Sequence, residues 1–292
     1  MSLITTFSAT PSRLRGIFRF LLKVEAHRFS KPSMARMLMP DPFIDSEKDR
    51  PRVAFEDTFT EGKHLGIFQE TTEEDETVAM LHPTIVEKGY AVEDVDDIFP
   101  DIIRSQIFEE KSDHTDGVGY ALAWFLSRSP YEASKDAEAS LREIVQTGCR
   151  DLTEITNKAR YDQAVYWTVH LGFAWEHAIK KDAVLVPDPT AYIQRQLPHL
   201  FENSGEEVAL PSFMHEFTDR APVFEGGRFR EGIEEKIGRR EPNHLSESTA
   251  FALLRLVEEG HIELRMQSDA SALNLPTTDK VQRFSHIRWI GG

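Results

Sequence analysis

A single cysteine, Cys149, stands among 292 residues. This excludes an intramolecular disulfide and any zinc cluster built on several thiolates. It also fits a reducing compartment, so a cytoplasmic location is expected. Cys149 follows a helix-like segment and reads as a buried packing side chain rather than a reactive thiol. Long apolar runs are missing too. No stretch approaches the roughly 18 to 20 residues that cross a bilayer, and Leu3-Ile4 is too short for the core of a secretory signal. The short motifs of several enzyme classes are absent: no GxxxxGK[ST], GxGxxG, GxSxG, HExxH or CxxC occurs, and Asp116-Gly117-Val118-Gly119 lacks the phosphate-cradling spacing. No catalytic activity, cofactor or metal is expected.

Charge is what the chain has in plenty, and it is unevenly spread. The first forty residues hold seven basic side chains against Glu25 alone, a formal +6; with −15 for the whole chain, −21 is left for the remainder. A basic end on an acidic body argues against nucleic acid wrapping the entire molecule. Hydrophobic residues at 40% and aromatic residues at 10% are enough for packed cores. The length suits two or three modest domains.

Periodicity places the elements. Thr10-Pro11 is a cap and first-turn proline, and Leu14, Ile17, Phe18, Leu21 and Leu22 then recur on one helical face. Arg15, Arg19 and Lys23 form a ridge on the other side. A second helix is expected over 31–39 and a third from Arg52 to a stop at Gly62. Two strand-like runs follow, Leu65–Phe68 and Val78–Leu81, around an acidic tip, Glu70 to Glu76. Three helices and a hairpin are the order of a winged helix. The same order is read near the C-terminus: helices over 212–220, 227–237 and 246–259, then strands over 262–266 and 284–290. Between them the pattern is helical, with 160–181 as the longest and most apolar helix, expected as a buried spine, and 189–201 as another. The sequence therefore reads as mainly α, with a winged-helix domain over 1–92, a central helical domain over 93–205 and a second winged helix over 206–292.

Winged helices of the DNA-reading kind press basic or polar side chains of the third helix into the major groove. Here Glu56, Asp57 and Glu61 face that way at one end, and Glu247, Glu258 and Glu259 at the other. Carboxylates beside a phosphate backbone are repelled, so contact with protein is the favoured reading. Cations able to meet a duplex or an acidic partner are Arg13, Arg15, Arg19, Lys23, Lys31 and Arg36, with Lys280 and Arg283 at the other end. The segment 228–241 alternates in sign and reads as a solvated helix. His170 and His177, beside Glu176, are spaced seven apart and read as core or interface side chains rather than metal ligands. His82, His114, Asp113 and Asp116 fall in expected loops, where only folding can gather them.

The run Thr10-Pro11-Ser12-Arg13-Leu14-Arg15-Gly16-Ile17-Phe18-Arg19-Phe20-Leu21-Leu22, with Ala121-Leu122-Ala123-Trp124-Phe125-Leu126 and Leu171-Gly172-Phe173-Ala174-Trp175, resembles the DpdG family. That family belongs to bacterial gene clusters that install 7-deazaguanine bases in DNA and restrict foreign DNA. The resemblance implies a cytoplasmic subunit working beside helicases, ATPases or nucleases, with no catalytic residues to carry over. Three functions are open: a non-enzymatic adaptor docking such subunits in an anti-phage restriction complex; a DNA-binding regulator using the basic N-terminal helix; and a kleisin-like bridge on an SMC-type ATPase. The acidic third helices and the missing catalytic motifs favour the adaptor.

Overall fold

The computed structural model describes residues 2–39, 51–109, 116–132, 137–177 and 184–291, with the backbone alone at 51 and 52. The chain divides into two compact units, 1–115 and 116–292.

In the first unit, helix α1 (Pro11–Lys23) begins where Thr10 accepts a hydrogen bond from the Arg13 amide, and it buries Leu14, Ile17, Phe18, Leu21 and Leu22. Strand β1 (Arg28–Ser30), α2 (Lys31–Leu38), α3 (Pro51–His64), the β2–β3 hairpin (Phe68–Glu73, Glu76–Leu81), the short α4 (Pro83–Val86) and α5 (Val95–Phe108) complete it. The antiparallel sheet runs β1-β3-β2. The core joins Phe18 of α1 to Phe99 of α5 at 5.4 Å between ring centroids, and stacks Phe59 between Phe55 and Phe68.

Two sequence expectations change here. Gly62 does not stop α3; the helix runs on to His64. A Cβ on Gly62 would lie 2.2 Å from the Phe68 ring, so glycine is there to let helix and strand approach. The acidic tip is also mostly strand. Glu70 to Glu73 pair with β3 down to Glu73 opposite Glu76, and Glu74 and Asp75, with φ of 46° and 65°, make a two-residue turn whose twist matches the hairpin.

The second unit holds α6 (Asp116–Leu126), α7 (Ala137–Gln146), α8 (Arg150–Thr153), α9 (Lys158–His170), the β4–β5 hairpin (Ala174–His177, Val184–Pro187), α10 (Thr190–Leu200), β6 (Glu207–Ala209), α11 (Leu210–Arg220), α12 (Arg228–Ile237), α13 (Glu247–Glu258), β7 (Ile262–Arg265), the β8–β9 hairpin (Leu273–Pro276, Val281–Phe284) and β10 (His286–Trp289). Central β10 pairs antiparallel with β6 and β7. Phe173, Tyr192, Phe217 and Phe224 form the aromatic heart, with centroid separations down to 4.6 Å.

The expected spine helix over 160–181 is cut short. Gly172 takes φ +83°, and the amides of Gly172 and Phe173 turn back onto Val169 and Thr168. This is a glycine helix stop. The chain then enters β4, whose pairing explains an apolar run that periodicity alone assigns to helix. The end of the expected helix, 178–181, lies outside the described residues. The sequence places a domain boundary near 203–207; Glu207–Ala209 make an edge strand there.

These strands overturn the expected fold class. The described residues form thirteen α-helices and ten strands in four small antiparallel sheets, 52% helix and 16% strand. The chain is mixed α/β, not a mainly α chain with a winged helix at each end. The physical reason is that three-residue edge strands such as β1 and β6 leave no periodic trace in sequence, and that the apolar β4 run reads as helix.

Helix α6 is buried from Gly117 to Leu126 except at Tyr120. Its approach to α12 depends on glycine from both sides: a Cβ on Gly119 would sit 2.4 Å from the Phe229 ring, and one on Gly232 2.7 Å from Tyr120. Gly119→Ala is expected to destabilise the chain by about 1–3 kcal/mol, because overpacking outweighs the gain in helix propensity. Urea denaturation checks this; unchanged or increased stability would show that α6 and α12 have room to part.

Candidate functional site

The cations singled out by sequence lie mainly on the first unit, and most of them are answered within it. Arg15 and Arg19, one turn apart on α1, both reach Asp96 of α5, each at 2.8 Å. Arg13 donates to the Ser8 carbonyl at 3.1 Å, and Arg36 to the Ser33 hydroxyl at 3.1 Å. Arg28 pairs with Glu73 across the sheet. Lys23 is exposed in the last turn of α1.

Lys31 is 8% exposed and belongs to the interior. Its ammonium lies 2.6 Å from Glu56, 2.8 Å from Glu70 and 4.7 Å from the Phe59 ring centroid. Burial pulls its pKa down, but the two carboxylates outweigh that and hold it above the usual lysine value. Glu70 shows the converse. Burial pushes it up, and Lys31 with Lys63 brings it below the usual glutamate value.

The acidic third helix of the sequence reading is less exposed than expected. Glu61 is 2% exposed and accepts from the Thr6 hydroxyl at 2.8 Å; Asp57 accepts from Ser8 at 2.7 Å. Lys280 and Arg283 lie in the second unit. Both are exposed on the β8–β9 hairpin, and among the described residues neither side chain meets a carboxylate.

The residues set aside in sequence take ordinary places. His170 ends α9 with its ring edge-on to Trp167, and His177 lies on β4 beside Trp175. His82 caps α4, and Asp116 pairs with Arg228 at 2.9 Å. Asp113 and His114 lie outside the described residues. Among the described residues, no three His, Cys, Asp or Glu side chains are placed to share a metal ion.

Sequence reasoning missed a polar pocket of about 540 Å³ within the second unit. Its wall begins at Trp124, near the end of α6. Arg128 lies over the Trp124 ring at 5.0 Å and is held by both oxygens of Glu143 from α7. Tyr161, Leu185 and Pro187 add an apolar flank, and Ser127, Ser129, Ser140 and Ser246 contribute hydroxyls.

Opposite runs a buried ion network. Arg230, 2% exposed, donates to Glu234 at 2.8 Å and to the Ala123 carbonyl at 3.3 Å. Arg240 reaches Glu234 at 2.6 Å and the His244 carbonyl at 2.5 Å. Behind it, Glu225 accepts from the Ser246 amide at 2.8 Å and the Thr249 hydroxyl at 3.0 Å, so it closes the start of α13. The segment 228–241, read in sequence as a solvated mixed-sign helix, thus carries the most deeply buried ion pair described.

The sequence matches the DpdG-like family over residues 1–270. The chain belongs to that family. Membership points to a part in the 7-deazaguanine DNA-modification system. No curated protein and no solved structure matches the chain. Among the described residues, no helix is long and apolar enough to cross a membrane.

Glu225 gives a pH signature. Burial pushes its carboxyl up, but Arg230, Arg240 and the Ser246 hydrogen bonds overcome this and hold it below its ordinary value of 4.5. A carboxyl with a depressed folded pKa adds stability that is fully present above the unfolded value and lost as pH falls through the folded one. Denaturation midpoints of the parent chain should therefore drop below about pH 4.5. Glu225→Gln should be less stable at pH 7 and lose less over that acid range. Parallel pH curves for the two proteins would remove Glu225 as the source.

Proposed function

We propose that this DpdG-like chain is a non-enzymatic adaptor of a DNA-modification-linked restriction complex, docking the ATPase, helicase or nuclease subunits encoded with it. The observation that supports this most is the fixed carboxylate under the basic helix. Arg15 and Arg19 share Asp96, and Lys31 is enclosed by Glu56 and Glu70. An exposed ion pair is worth only about 0–1 kcal/mol, so either arginine is free to exchange partners. What does not leave is Asp96, and a duplex laid on α1 would bring phosphates toward it. A polypeptide surface, which mixes signs and buries apolar side chains, meets no such penalty. The first unit also exposes large apolar side chains: Phe7 is 48% exposed, Val53 45% and Met37 61%.

A second reading concerns DNA alone. Lys280 and Arg283 are exposed cations on the β8–β9 hairpin with no ion pair among the described residues, suited to phosphate contact without sequence readout.

Two measurements separate these readings. Mixed with the purified ATPase, helicase and nuclease subunits of its own gene cluster, the chain should co-elute with at least one in size-exclusion chromatography. Alone, it should bind duplex DNA weakly, with R15E/R19E changing the affinity little. If the hairpin touches phosphates, K280E/R283E should lower the salt slope by about 2, one for each cation. Tight duplex binding abolished by R15E/R19E, with no co-elution, would replace the adaptor by a DNA-binding regulator.

A further inference from the structure

The pocket of the second unit has the dimensions of a small-molecule site, about 540 Å³ against the roughly 300–1,000 Å³ typical of such sites. Its charges narrow the ligand. Arg128, Arg230 and Arg240 line it beside Glu132, Glu143, Glu234 and Glu247, a formal net of −1. Each guanidinium already holds a carboxylate. A polyphosphate would find no surplus cation there.

Two carboxylate acceptors in the pocket are uncommitted. Among the described residues, Glu132 and half-exposed Glu247 take part in no ion pair or hydrogen bond through their carboxylates. The charge of Glu247 is partly offset by its place in the first turn of α13. A carboxylate with both oxygens available accepts two neighbouring N–H groups at once.

The second element is Arg128. Its guanidinium is laid on Trp124 and pinned by Glu143, so its plane is fixed while its side chain stays 26% exposed along the pocket. A flat guanidinium of this kind is a platform for a heteroaromatic ring. An arginine side chain from a partner would also offer paired N–H donors, but it would fill a small part of this volume and offer no ring system of purine size.

We propose that this pocket binds a guanine-type base or nucleoside, with Arg128 as the stacking platform and the Glu247 carboxylate accepting from the adjacent ring N–H and exocyclic amine. Guanine and 7-deazaguanine share that edge and differ at position 7, so both are candidate sources. The inference does not depend on the adaptor reading, because binding is measured on the full chain without partners.

Isothermal titration calorimetry with guanosine, 7-deazaguanosine, inosine and adenosine tests it. Guanosine and 7-deazaguanosine should bind. Inosine, which lacks the exocyclic amine, and adenosine, whose edge is reversed, should be weaker by about tenfold or more. Equal affinity for the first two assigns the pocket to the shared edge, and tighter binding of 7-deazaguanosine assigns it to the deazapurine. Glu247→Ala should weaken guanosine binding by about tenfold with the melting temperature kept. Ile237→Trp, which adds bulk to the pocket wall from α12, should abolish binding. No binding by any of the four at millimolar concentration, equal binding of adenosine and guanosine, or parent-like guanosine binding by both variants would each overturn the assignment.

Discussion

The second unit is organised around charges that can be buried only together. Arg230 and Glu234 are almost wholly enclosed, and isolated ions of either sign in such a place would cost several kcal/mol each. They are tolerated because each has more than one partner. Arg230 meets Glu234 and the Ala123 carbonyl; Glu234 meets Arg230 and Arg240; Glu225 meets Ser246 and Thr249. The Ser248 hydroxyl meets Leu126 O at 2.5 Å. The Leu126 carbonyl at the end of α6 and the Ser246 amide at the start of α13 are groups that a helix cannot pair for itself, while the Ala123 carbonyl takes the Ser127 amide as well as Arg230. The network and its neighbours thus help to cap the end of α6 and the start of α13, and Arg230, Glu234 and Arg240 line the pocket.

The first unit applies the same rule with less burial. Lys31 caps no helix, but its ammonium lies beside the Phe59 ring and between two carboxylates from α3 and β2. Removing either carboxylate leaves a buried cation with one carboxylate partner. Asp96 holds Arg15 and Arg19 where all three side chains remain partly in water, a position of weak coupling. One unit therefore contains both a cation committed to structure and a pair free to meet a partner, and only coordinates distinguish them, since all three are simply basic residues in sequence.

Legibility followed the range of the interaction. Helix α1 was readable to the residue at its start because its cap, proline and apolar period are all local. Ser246 capping α13 was readable for the same reason. The long apolar run after Arg160 was not, because a buried hairpin strand and a buried helix share composition, and Gly172 decides between them only through a positive φ. Gly62 was misread for a related reason: close packing on Phe68, not helix termination, calls for its missing side chain. β1 and β6 left no trace, since three residues carry no period. The pocket was beyond local reading, as Trp124, Glu143, Arg230 and Ser246 come from four separate helical regions.

The charge asymmetry of the sequence now has a finer meaning. Counted by residue, the basic end is +6, yet Asp96 lies outside the first forty residues and is returned to α1 by folding. Glu56, Glu70 and Glu73 return to Lys31 and Arg28 in the same way. The electrostatic end that composition describes is therefore largely cancelled in space. Among the described residues Lys280 and Arg283 on their hairpin form no ion pair, whereas Arg15, Arg19, Arg28 and Lys31 of the N-terminal cluster each do. Within each unit, what the surface presents is set by the pattern of paired and unpaired charge rather than by its sum.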